Sequence, residues 1–178
     1  MASPITQGLV LVFTGEGKGK TSAALGMAIR AAGRGMRVLI LQFMKGRSDL
    51  GELYALDKAN LPITFMQFGR PGFVQSRVCE PLDIYIAQQG LKTLREAIGK
   101  RSYDMIILDE INTAVDFGLL KIDEVISAVK ERPSGLHMVL TGRNASKNLI
   151  EIADLVTEMK EVKHHYHQGI KAQEGIEF

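Results

Sequence analysis

The run Leu9-Val10-Leu11-Val12-Phe13 passes directly into Thr14-Gly15-Glu16-Gly17-Lys18-Gly19-Lys20-Thr21. The apolar run reads as a buried strand, the alternating glycines as a turn, and Lys20-Thr21 as the start of a helix over residues 20–32, with Gly33 as its stop. Glycines let successive backbone N–H groups converge on an anion with no Cβ in the way. A helix that starts at the same place turns its unsatisfied N–H groups and its positive dipole end toward that anion. The usual phosphate-loop pattern is G-x-x-x-x-G-K-[ST]; here its first glycine position falls on Thr14 and a glycine follows one residue later. Gly15, Glu16, Gly17, Lys18, Gly19, Lys20, Thr21 and Ser22 therefore form the candidate seat of a nucleoside triphosphate. Lys20 supplies a point charge for phosphate oxygens and the Thr21 hydroxyl a ligand for Mg²⁺.

Around this stretch the chain reads as one domain, residues 1–178, large enough for a core of its own. Its formal charge is +2 with the signs interspersed, so no basic block calls for nucleic acid or a membrane surface. Cys79 is the one cysteine, which rules out an intramolecular disulfide and fits a reducing cytoplasm. The opening residues are short and polar, and no apolar run approaches the length of a membrane span, so a cytoplasmic protein is expected.

Further apolar runs at 37–43, 63–68, 104–109, 136–141 and 155–159 read, with 8–13, as six strands. Helical segments at 50–59, 82–99, 121–131 and 146–153 alternate with them. Nearly continuous hydrophobicity in the strands predicts a mostly parallel sheet covered on both faces, hence a three-layer α/β domain. Right-handed crossovers then bring the loops after strands 1, 2, 4 and 5 to the carboxyl edge, where such sheets bind ligands. Residues 163–178, polar and His-rich, read as a C-terminal tail or lid.

Several residues could act at that edge. Asp104-Met105-Ile106-Ile107-Leu108-Asp109-Glu110 delivers two carboxylates at the end of an apolar strand, where a phosphate-loop protein places its Mg²⁺ partner. Glu110 could instead polarise a water. Arg143, in Thr141-Gly142-Arg143, emerges at the same edge with a guanidinium suited to phosphate oxygens. Arg30 lies nine or ten residues into the first helix and reads from pattern alone as a solvated arginine. Phe73, in the turn-rich Phe68-Gly69-Arg70-Pro71-Gly72-Phe73-Val74-Gln75, reads either as facing a ligand or as a plug on the core. His164-His165-Tyr166-His167 would put His165 and His167 on one face if extended, but a polar tail is a simpler reading than a zinc site.

Taken together, separated motifs give a resemblance. Phe13 to Thr21, Gln42-Phe43-Met44-Lys45-Gly46, Gly51-Glu52, Leu108-Asp109-Glu110, Arg132-Pro133, Thr141-Gly142-Arg143, Ala153-Asp154, Lys163-His164, Gly169-Ile170-Lys171-Ala172-Gln173 and Gly175-Ile176 are similar to the ATP:cob(I)alamin (corrinoid) adenosyltransferases of the P-loop type. The resemblance runs from about residue 8 to the C-terminus and implies a P-loop NTPase-like fold. It implies transfer rather than hydrolysis: Co(I) of a reduced corrinoid attacks C5′ of ATP, the adenosyl group moves to cobalt, and triphosphate leaves. The two substrates are then ATP and the corrinoid, with Mg²⁺ as cofactor and a separate reductase supplying Co(I). Lys20 and Arg143 would stabilise charge on the departing triphosphate, and Gly15 to Ser22 would line it. Thr21 and Glu110 would hold Mg²⁺, with Asp109 alongside. The resemblance moves Arg30 to the nucleotide's ribose and base and Phe73 to the corrinoid pocket, where it helps displace the lower axial base. It also implies ATP bound in the reverse sense to ordinary P-loop hydrolases, and a homodimer.

The chain departs from the family in two ways. Members place a Trp two residues after the phenylalanine, where this chain has Gln75 and contains no Trp at all. Some members carry a longer N-terminal segment that closes over a partner's site; seven residues precede the first strand here, so the expected lid is missing or comes from the C-terminal tail. Two other readings of the phosphate loop remain: an ATPase of the recombinase or helicase type, and a nucleotide-binding regulator without turnover.

Overall fold

The computed structural model describes residues 7–47, 49–71 and 79–177. Six strands form one sheet in the order β3-β2-β4-β5-β1-β6: β1 (Val10–Thr14), β2 (Val38–Phe43), β3 (Ile63–Phe68), β4 (Met105–Asp109), β5 (His137–Thr141) and β6 (Leu155–Glu158). Every pairing is parallel, a stricter arrangement than the mostly parallel sheet the sequence predicts. The helices are α1 (Lys20–Ala32), α2 (Gly51–Ala59), α3 (Pro81–Lys100), α4 (Ile111–Asp116), α5 (Ile122–Lys130) and α6 (Lys147–Glu151).

The two-residue period of a strand sorts the core into two layers. Val10, Val12, Leu39, Leu41, Phe43, Ile106, Leu108, Met138 and Leu140 pack on one face with residues of α3, α4, α5 and α6. Leu11, Phe13, Val38, Ile40, Ile107 and Val139 pack on the other, against Ala24, Ala28 and Ala31 of α1. Those alanines recur at helical spacing and keep α1 close to the sheet. Burial on both faces holds for β1, β2, β4 and almost all of β5; the edge strands β3 and β6 are only partly covered or exposed. Among the described residues no helix is long and apolar enough to cross a membrane.

Two elements differ from the sequence reading. Helix α4 starts immediately after β4, with Glu110 in the left-handed region at φ 60 turning strand into helix. Six residues are too few to display a helical period, and the strand signal masks them. In the C-terminal segment, His165–Gln168 form a single 3₁₀ turn, not the extended chain that would put His165 and His167 on one face.

Arg70 closes a clasp over the start of α3. Its Nε and Nη2 donate to Asp83 Oδ1 and Oδ2, both at 2.7 Å, and Nη1 lies 2.9 Å from Glu80 Oε2. The bidentate geometry holds the Asp83 carboxyl below the usual carboxylate range, against burial, which works the other way. The charged form is thus favoured by folding. Its contribution is complete above the unfolded-state value of about 3.9 and is lost as pH falls from there through the lower folded-state value. Asp83→Asn is expected to lower the melting temperature at neutral pH, with the gap to wild type shrinking below about pH 4; parallel curves would refute this role.

Gly90 of α3 faces the Phe43–Phe68 pair, whose ring centroids lie 6.0 Å apart. A Cβ there would stand 2.6 Å from Phe43 Cε1 and 2.9 Å from Phe68 Cγ. Gly26 of α1 meets nothing within 4 Å. Thermal unfolding should therefore separate two identical replacements. Gly90→Ala should destabilise by about 1–3 kcal/mol through overpacking. Gly26→Ala should stabilise by about 0.5–1 kcal/mol through backbone entropy.

Candidate functional site: the carboxyl edge of the sheet

The strand order explains what meets at this edge. Strand β5 lies between β1, which feeds the phosphate loop, and β4, which ends in Asp109. Thr141 at the end of β5 therefore sits between them, and Gln42 of β2 is in register with Asp109 on its other side.

A polar row results. Gln67 Nε2 donates to Gln42 Oε1 at 2.8 Å, and Gln42 Nε2 donates to Asp109 Oδ2 at 2.9 Å. The hydroxyls of Thr141 and Thr21 both donate to Asp109 Oδ1, at 2.7 and 2.8 Å. The Lys45 ammonium lies 3.4 Å from Asp109 Oδ2 and 3.4 Å from Glu110 Oε1. Asp109 is only 1% exposed. Burial would raise its pKa, but the Lys45 charge and the donors Thr141, Gln42 and Thr21 outweigh it, so the carboxyl is held below its ordinary value. Burial likewise acts against the charge of Lys45, and Asp109 and Glu110 overcome it, so the ammonium pKa rises.

The phosphate loop is shaped by its glycines and by a neighbour. Gly15 and Gly19 have φ of 95 and 107, a region that L side chains rarely adopt. Gly17 N donates to Met159 O and Met159 N to Thr14 O, each at 2.7 Å, so the chain just beyond β6 lies against the loop. Lys20 is buried, and its ammonium donates to the carbonyls of Gly15 and Gly17 at 2.6 and 2.7 Å. Burial lowers its pKa; Glu110 raises it and Arg143 lowers it further. Thr14, in the place of the usual first glycine, accepts the Ala145 N–H through Oγ1 at 3.1 Å and so fastens the β5–α6 loop to the phosphate loop.

Arg143 reaches the same mouth, with Nε 3.3 Å from Glu16 Oε2. Its position depends on Gly142, whose φ of 130 and close approach to Thr113 N leave no room for a Cβ. Thr113 Oγ1 accepts from Arg143 N at 3.0 Å and donates to Glu110 Oε2 at 2.7 Å, tying the arginine loop to the second carboxylate. At the outer rim Lys18 Nζ lies 2.9 Å from Glu177 Oε1, which His165 Nε2 also approaches at 3.1 Å. His167 pairs with Glu161 at 2.7 Å. The C-terminal segment therefore rests on the phosphate loop.

Of the residues singled out from sequence, Gly15 to Thr21, Asp109, Glu110 and Arg143 converge here, and Ser22 lies exposed just beyond them on α1. Arg30 is exposed in the last turn of α1, ten residues and so about 15 Å along the axis from Lys20. Phe73 and Gln75 lie outside the described residues. Gln42, Lys45 and Thr141 stand within sequence motifs that give them no role of their own. The signal for Gln42 was an amide in an otherwise apolar strand, Val38–Phe43.

The oxygen donors of Thr21, Asp109 and Glu110 suit a small hard cation, which takes one or two carboxylates and completes its shell with phosphates and water. Among the described residues no group of three or more His, Cys, Asp or Glu side chains is placed to hold a metal by itself.

The family ATP:corrinoid adenosyltransferase BtuR/CobO/CobP matches residues 6–178. A corrinoid adenosyltransferase of Pseudomonas aeruginosa is 39% identical over 172 residues, which is 97% of this chain and 84% of that protein. The corrinoid adenosyltransferase of Escherichia coli K12 is 36% identical, covering 97% of this chain and 86% of its own. Corrinoid adenosyltransferase CobA of Salmonella typhimurium is 36% identical over the same shares. A phosphate loop, a paired-carboxylate strand and an arginine loop meeting at one sheet edge, in a chain matched almost end to end, place this protein in the ATP:corrinoid adenosyltransferase family.

Proposed function

We propose that this protein transfers the 5′-deoxyadenosyl group of ATP to the Co(I) of a reduced corrinoid and releases triphosphate. The observation that carries the reading is the convergence of Lys20, Arg143, Asp109 and Glu110 on one glycine loop in a chain of this family. The nucleophile belongs to the substrate, so the reaction asks the protein for no serine, cysteine or general base. What it asks is that C5′ be held in line with cobalt and that charge on the leaving triphosphate be met by fixed donors.

The chain's own groups divide that work. Loop N–H groups and the Lys20 ammonium, which now rests on two loop carbonyls, are offered to phosphate oxygens. Arg143 faces the loop across the mouth and adds a second cation where negative charge grows. When bound, Mg²⁺ supplies Lewis-acid neutralisation of the triphosphate. Thr21 and the more accessible Glu110 are its direct ligands in this reading, while Asp109, saturated by four donors, fixes the Thr21 hydroxyl. Arg30 serves the ribose and base end, and Phe73 the lower face of the corrinoid, where Gln75 makes the pocket more polar than a Trp would. The segment 163–178 acts as a lid through the Lys18–Glu177 contact.

In the same reading the enzyme is a cytoplasmic homodimer served by a separate reductase, with neither nucleic acid nor membrane as partner. Support comes from the family, the interspersed charge and the single cysteine.

Incubation with Mg-ATP and chemically reduced cobalamin should yield light-sensitive adenosylcobalamin and inorganic triphosphate in equal amounts. Release of phosphate without adenosylated product would instead favour the hydrolase, and ATP binding without either product the regulator. Lys20→Ala should lower kcat/KM for ATP by about 10²–10³-fold. Phe73→Ala should impair corrinoid use while leaving ATP affinity near wild type; equal loss of ATP affinity in both variants would refute this division of roles.

A further inference from the structure

Lys45 is not assigned a part in the transfer by the reading above, yet its ammonium sits between Glu110, the carboxylate given to the cation, and Asp109 beside it, 3.4 Å from one oxygen of each. Its side chain is only 24% exposed. Its backbone is held on both sides. Met44 is left-handed at φ 62 and its N–H donates to Phe68 O at 3.0 Å. Gly46 and Gly69 lie backbone to backbone, so closely that a Cβ on Gly69 would stand 2.4 Å from Lys45 N. Only the four-carbon stem of Lys45 is left free to swing.

A divalent ion that takes Glu110 and approaches Asp109 competes for the oxygens that Lys45 now faces. Two cations cannot share them without strong repulsion. From its present position the ammonium already acts electrostatically on Lys20 of the phosphate loop, and a triphosphate is the anion expected at that loop.

We propose that Lys45 is a placeholder cation: it neutralises the Asp109–Glu110 pair until the metal arrives, then moves to the triphosphate as a further phosphate ligand. The inference rests on the metal site and the substrate proposed above. It makes the metal-free protein a poor binder of divalent ions and couples metal entry to the arrival of nucleotide. It also predicts opposite effects of one substitution on two ligands, with the gain in metal affinity dependent on the Glu110 carboxylate that Lys45 leaves.

The test uses the whole protein and two simple probes, free Mn²⁺ followed by electron paramagnetic resonance without nucleotide, and inorganic tripolyphosphate followed by calorimetry at saturating Mg²⁺, the state in which the proposal puts Lys45 on the anion. Lys45→Met should bind Mn²⁺ about tenfold more tightly than wild type and tripolyphosphate about tenfold more weakly. Lys45→Gln should repeat both shifts if Met alone perturbs folding, and Lys45→Arg should keep tripolyphosphate affinity near wild type. Adding Glu110→Gln to Lys45→Met should abolish the gain in Mn²⁺ affinity. Unchanged or weaker Mn²⁺ binding, unchanged tripolyphosphate binding, or a gain that survives Glu110→Gln would overturn the proposal. The transfer assay with wild-type protein stands apart: formation of adenosylated corrinoid together with any of these results would sink the placeholder and leave the enzymatic reading intact.

Discussion

The Asp109 carboxylate, almost wholly withdrawn from water at the end of β4, organises the carboxyl edge of this sheet. An unpaired charge at that depth would be costly, because the effective penalty for burying an ion is several kcal/mol even after relaxation. Four donors answer it: Thr21 from the start of α1, Thr141 from β5, Gln42 from β2, and Lys45 from the loop after β2. Each comes from a different part of the chain, so satisfying one carboxylate fixes the relative positions of the phosphate loop, two strands and a connecting loop. Losing any one donor would leave the others to hold a charge they only jointly accommodate.

This requirement also links the two layers of the domain. The side chains of β1, β2, β4 and β5 alternate between two apolar cores, and at the carboxyl edge the alternation gives way to a polar row running from Gln67 through Gln42 and Asp109 to Thr141. A rigid apolar sheet beneath such a row keeps its dipoles oriented before any ligand arrives. Preorganisation of that kind is what leaving-group stabilisation needs, since donors already in place cost no rearrangement when charge develops.

The architecture was largely legible in the sequence because its signals are strong and local. Six apolar runs fall on six strands, and the glycine loop followed by an alanine-rich helix marks β1 and α1. Helix α4 escaped because six residues carry no visible period, and its first signal is a single backbone φ at Glu110. The paired carboxylates and Arg143 were recognisable because strand ends in a parallel sheet share one edge. The importance of Gln42, Lys45 and Thr141 depends on which strands are neighbours, and the order β3-β2-β4-β5-β1-β6 is not written in any local pattern. Arg30 shows the reverse: a role came from resemblance, while within one chain it stands a helix length from the loop.

Thr14 and the glycines after it carry one more consequence. A Cβ on Gly15 would stand 2.4 Å from Met159 O, and one on Gly17 would stand 2.8 Å from the same atom and from the Lys160 carbonyl carbon. These glycines make room for the protein's own backbone as well as for an anion, and Thr14 is occupied with Ala145. The phosphate loop is therefore not a portable part. Grafted onto another strand–helix junction, it would arrive without the stretch of chain some 140 residues downstream that gives it its shape.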